Sequence, residues 1–160
     1  MNRSKSLLPF LILLLFLGVS CDDEGPFVDL PVSIQSYLDA NYPDAEMEES
    51  ELDTLCTGMA VYEVELEVND DEELELTFDT DGNLLFTETE ISAGSLPTAV
   101  TNTVETAHPG QAIEEADRLD FPDGSVQYEV ELGGSNPVEL LVSADGEVIC
   151  EEAGDTDDEE

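Results

Sequence analysis

The chain has 160 residues, 41 of them Asp or Glu against three Lys or Arg and one His, for a formal net charge of -38. With 41% hydrophobic residues it is not a disordered acidic polymer, and its length suits one ordinary domain or two very small ones. The missing basic surface argues against nucleic acid as a partner, and three Cys, one His and no Trp leave most catalytic and zinc constellations without members.

Residues 1–20 read as an address rather than as fold. Arg3 and Lys5 precede an apolar run from Leu7 to Leu17, which is shorter than the ~20 residues of a membrane-spanning helix. Gly18 and Ser20 then lead to Cys21. This segment resembles a bacterial lipoprotein signal, and the resemblance implies that Cys21 is lipidated and becomes the mature N-terminus. It departs from that pattern in placing Gly18 where Leu is usual; an ordinary secretory signal with an incidental Cys is the alternative. Asp22-Asp23-Glu24 begins an acidic tether, residues 21–28, and resembles a surface-display signal; a periplasm-facing anchor is the other reading. Beyond Cys21 the only Lys or Arg is Arg118, so self-repulsion must be borne by solvent and counter-ions. Such a composition is expected of a halophilic or marine protein, whose stability rises with salt.

The rest of the chain shows pairs of similar segments. Leu30-Pro31 returns as Leu96-Pro97, Tyr42-Pro43 as His108-Pro109, and Tyr62-Glu63-Val64-Glu65-Leu66 as Tyr128-Glu129-Val130-Glu131-Leu132, each 66 residues later; Asp81-Gly82 returns as Asp145-Gly146 after 64. Two repeats are read, 29–92 and 95–152, with 153–160 a disordered acidic tail. Leu30, Ile34, Tyr37 and Leu38 fall at helical spacing and Pro43 ends the segment, as do Leu96, Val100, Val104 and Ala107 before Pro109. Weak alternation at 45–52 and 112–119 predicts a first strand in each repeat. Strict alternation follows in Tyr62/Val64/Leu66/Val68, with Glu63, Glu65 and Glu67 on the other side, and in Val126/Tyr128/Val130/Leu132. Further strands and Asp-Gly hairpin turns come next. The expected fold class is α+β: a tandem repeat of a helix followed by about four antiparallel strands, the helices packed on one face of a curved sheet around one shared core.

The order Leu-Pro, amphipathic helix, Tyr/His-Pro, Tyr-Glu-Val-Glu-Leu and Asp-Gly resembles the PepSY-like secreted bacterial family, related to the beta-lactamase inhibitor protein. The resemblance spans about residues 29–152. It implies an α+β fold, an extracytoplasmic location and a non-enzymatic, inhibitor-like binding role, and it supplies no catalytic residues.

Three features are candidates for chemistry. Asp79, Asp81 and Asn83 resemble the opening of a calcium loop, which needs six to eight oxygen ligands; a polar hairpin turn is the bland alternative. Cys56 and Cys150 form an even pair suited to a disulfide in an oxidising compartment, with two free thiols as the alternative. His108 stands at a helix end, opposite Tyr42 in the other repeat, and reads as a packing residue. No cofactor is expected beyond weak calcium. The reading is a lipid-anchored envelope module without catalysis that binds a cationic protein or peptide through a sheet face or an inter-repeat groove; a calcium- or salt-responsive structural protein is the alternative.

Overall fold

The computed structural model describes residues 27–69 and 72–154, so the lipoprotein-like segment, residues 21–26 of the acidic tether with Cys21, and residues 155–160 of the tail read at 153–160 lie outside the described residues, while Ala153 ends β8. The order of elements is α1 (Val32–Asn41), β1 (Glu46–Thr54), β2 (Ala60–Asn69), β3 (Glu72–Asp79), β4 (Leu84–Glu90), a 3-10 turn (Ala93–Ser95), α2 (Thr98–Ala107), β5 (Ile113–Asp120), β6 (Val126–Leu132), β7 (Val138–Ser143) and β8 (Val148–Ala153). All eight strands belong to one antiparallel sheet in sequential order, β1 to β8.

The expected fold class is corrected by this sheet. The molecule is not a tandem helix-plus-four-strand repeat with helices packed over the strands; it is one continuous eight-stranded sheet with two helices of ten residues each. The physical reason lies between β4 and β5, where Thr87↔Asp120 through Glu90↔Asp117 pair directly and leave no boundary between halves. Each helix contributes little to burial. Ile34 is the one fully buried residue of α1, and Val100 and Val104 are those of α2. A single shared core is absent as well. Ile34 packs with Val64, Leu66, Leu76 and Phe78, whereas Val100 and Val104 pack with Val130, Leu132, Leu140 and Val142 in a separate cluster.

Local chemistry explains the elements. Pro31 and Pro97 supply a fixed backbone angle just before each helix, and the amides of Tyr42 and His108 close the helices on Leu38 and Val104 before Pro43 and Pro109. The β3–β4 and β7–β8 hairpins turn on Gly82 (φ 83°) and Gly146 (φ 85°), backbone angles that side-chain-bearing residues avoid. Each of these glycines is also pressed against a helix. A Cβ on Gly146 would sit 2.7 Å from the Ala99 carbonyl, and one on Gly82 would overlap Ser33. Turn and helix are thus docked by the absence of a side chain. At the outer edge of β1, Phe27 bridges to Ser50 in parallel and the Val28 amide donates to the Ser50 carbonyl at 3.0 Å.

Candidate functional site

A strand has two faces, and in this sheet both are put to use. Val64, Leu66, Leu76, Phe78, Val130, Leu132, Leu140 and Val142 point toward the helices. The alternate residues face the other way and, by register, form rows across the strands: Glu65, Glu75, Glu88 and Leu119; Glu63, Thr77 and Phe86; Asp117, Glu129, Leu141 and Cys150. Phe86, opposite Thr77 and two residues from Glu88, is on this face, and its ring lies 5.2 Å from that of Phe121; the bulge follows, between Phe86 and Leu84.

The sheet curls on this side into a groove of about 470 Å³, within the range of ligand-binding pockets. Its walls mix apolar side chains, Phe86, Leu119, Phe121 and Leu141, with the carboxyl groups of Glu63, Glu75, Glu88, Glu129 and Glu139. Cys56 is part of its lining. This cysteine, in the turn between β1 and β2, is joined by a disulfide to Cys150 of β8, with Cα atoms 6.1 Å apart and a sequence separation of 94. Residues next to both cysteines, Leu55, Met59 and Ile149, line the groove.

The groove's electrostatics are unusual for a protein surface. Burial, followed by the repulsion of neighbouring acids, pushes Glu88 up to about 10, Glu63 and Glu129 to about 8, Glu75 to about 7 and Asp117 to about 6. Among the acids that repel Glu63 is Glu139, five strands away in sheet order, which reflects the curl. The basic side chains among the described residues do not help. Arg118 pairs with Asp120 at 2.7 Å in an exposed contact, and His108 Nε2 lies 3.4 Å from Glu151; both Arg118 and Glu151 alternate away from the groove-facing residues of their strands. Thr77 is fully buried on the groove face, and its hydroxyl has no hydrogen-bond partner.

The sequence-predicted residues fall in different places. Asp79, Asp81 and Asn83 make the β3–β4 turn, where the Asp79 carboxylate accepts from the Asp81 amide (3.0 Å), the Asn83 amide (2.8 Å) and the Asn83 side-chain nitrogen (2.9 Å). Those donors hold its carboxyl below the usual range. The turn is therefore organised around its own backbone, and among the described residues no group of three or more His, Cys, Asp or Glu has the geometry of a metal site. Cys56 lines the groove and is bonded to Cys150, the neighbour in sequence of the groove residue Ile149, so the pair joins two edges of one sheet rather than two separate units. Sequence reasoning missed the groove and its carboxyls, Glu63, Glu75, Glu88, Asp117 and Glu129. The available signal was the set of apolar residues, Leu119, Phe121 and Leu141, interleaved with acids on the side taken as solvated.

A family model of PepSY-like proteins, described as beta-lactamase-inhibitor-like, matches residues 22–86 and again residues 62–150. A search of curated proteins finds no match. Three solved Bacteroides structures share the fold. A protein of a domain-of-unknown-function family from Bacteroides uniformis superposes with a TM-score of 0.57 at 18% identity, covering 78% of this chain and 90% of its own. A protein from Bacteroides fragilis described as like the beta-lactamase inhibitor protein gives 0.53 at 24%, covering 83% and 92%. A third, from Bacteroides eggerthii and described as periplasmic, gives 0.57 at 16%, covering 79% and 90%.

Proposed function

Because the chain belongs to the PepSY-like family, we propose that it is a non-catalytic binding module of the cell envelope, anchored by lipid at Cys21, that holds a basic segment of a protein partner in its acid-lined groove. The supporting observation is the set of Glu63, Glu75, Glu88 and Glu129, gathered in one groove with no basic side chain beside them among the described residues. Carboxyls in that position stay protonated or acquire a cation, and a Lys or Arg side chain is a cation with an apolar stem that suits Phe86, Leu119 and Leu141. The inhibitor-like description of the family and the periplasmic description of a structural neighbour support the binding role and the location. A fold hosts many functions, so a beta-lactamase target does not follow from it.

Fluorescent tetralysine is the direct probe. Wild-type protein is expected to bind it at low salt, and the Glu63→Gln/Glu75→Gln/Glu88→Gln/Glu129→Gln variant to bind at least about tenfold more weakly. Equal affinities would place binding outside the groove and end this reading. A pull-down from envelope extract at low and high salt would then identify the natural partner.

A further inference from the structure

We propose that the Cys56–Cys150 disulfide is a reducible clasp over the groove, which sets how wide a partner can enter. The proposal rests on the groove being the binding site and adds a means of controlling it.

Topology is the first ground. The turn bearing Cys56 extends from β1 and β2, at one end of the strand order, while Cys150 is in β8, at the other. No strand pairing joins β1 to β8 among the described residues, so the sheet is an open one and the disulfide spans its two edges. Position is the second ground. Cys150 pairs in register with Leu141, a groove residue, and Leu55, Met59 and Ile149 beside the two cysteines line the same groove. The bond therefore ties together the two sheet edges that flank the groove. Mechanical independence is the third. Neither cysteine belongs to either apolar cluster, and both are half-buried, within reach of a dissolved thiolate. Most of β8 and of the turn at 55–59 is exposed, so the two can separate without unpacking the body.

The chemistry is ordinary thiol–disulfide exchange. A dithiol reductant attacks one sulfur as its thiolate and forms a mixed disulfide while the other cysteine leaves as a thiol. The reductant's second thiol then displaces the remaining cysteine. Two electrons and two protons pass to Cys56 and Cys150, and the reductant becomes the disulfide. With the covalent link gone, no strand pairing among the described residues holds the β1–β2 turn to β8, so the two edges of the open sheet can separate.

The test compares purified protein in four states: oxidised, reduced by dithiothreitol, and reduced then relinked through Cys56 and Cys150 by a short or a long bis-maleimide, which adds to both thiols. Relinked forms keep the loop closed and so separate mouth width from stability. Stopped-flow association of fluorescent tetralysine should be about tenfold faster for the reduced and long-linked forms than for the oxidised and short-linked forms. Hydrogen exchange should accelerate on reduction at residues 55–59 and 148–153 while β3 to β6 stay protected. Equal association rates in all four states would overturn the clasp, and so would unchanged exchange at those two segments. Faster exchange together with no tetralysine binding in any state would uphold the clasp as a conformational device and refute the groove as a cation site.

Discussion

A carboxyl group surrounded by other carboxyls and little water loses its charge most cheaply by keeping its proton. Glu88 is the extreme case, raised to about 10 by burial and by Glu129, Glu75, Asp117 and Glu63. The sign of the stability effect follows. Since the folded pKa lies above the unfolded one, the group costs nothing below about pH 4.5, and stability falls as pH rises toward the folded value. Glu88→Gln keeps the shape and removes the titration. The variant should therefore match wild type at about pH 4 and exceed it at about pH 8 by on the order of 1–3 kcal/mol, after allowance for screening. Denaturant unfolding at the two pH values measures this; an unchanged difference would mean that Glu88 is well solvated. Asp79 behaves in the opposite sense, since its carboxylate is stabilised by donors from Asn83 and Asp81. Millimolar calcium at constant ionic strength should leave the melting temperature unchanged, because those oxygens are engaged in the turn; a clear rise would assign the ion to Asp79, Asp81 and Asn83.

At the level of elements, helix and hairpin are fitted together at two glycines. Gly146→Ala places a Cβ against the Ala99 carbonyl and forces an L residue to a φ of 85°. It should destabilise by at least about 1–2 kcal/mol, read as a lower denaturation midpoint with unchanged slope. Gly124→Ala, at a similar φ of 87° but with open space around it, should cost less. The elements themselves were largely legible. In β2, Tyr62, Val64, Leu66 and Val68 alternate with Glu63, Glu65 and Glu67, and one dry face is enough to impose a period of two. Asp81-Gly82 and Asp145-Gly146 marked their turns because only glycine accepts that backbone angle without strain. The site was not legible for a related reason. Alternation assigns Glu63 and Glu75 to a face, but whether that face is wet depends on curvature, which is set by pairing between distant strands and by a 94-residue disulfide span. The bulge between Phe86 and Leu84 breaks the period, so that Leu84 pairs with Phe78 while Phe86 shares the other face with Glu88, and no pattern in the chain announces it.

For the molecule as a whole, the continuous pairing of β4 with β5 matters more than the paired sequence segments. It makes one sheet of eight strands, whose length allows the ends to meet at Cys56 and Cys150. Closing a loop of that size is worth up to about 4–5 kcal/mol in chain entropy, so reduction should lower the melting temperature while the helix-side clusters remain folded. With 41 acids and few bases, long-range repulsion opposes the compact state. Raising salt from about 0.1 M to about 1 M shortens the screening length from ~10 Å to ~3 Å. The melting temperature should climb accordingly; a flat response would show that the surface charge is already neutralised by bound counter-ions.

In the proposed mode of binding, the groove exchanges its protons for a cation. Isothermal titration of tetralysine into the oxidised protein near neutral pH, repeated in buffers of different ionisation enthalpy, measures the protons released on binding. A clear net release per peptide is expected, with the carboxyls of Glu63, Glu75, Glu88 and Glu129 as its source, and near-zero release once those four residues are Gln. Binding with no release in wild type, or with the same release in the variant, would contradict it.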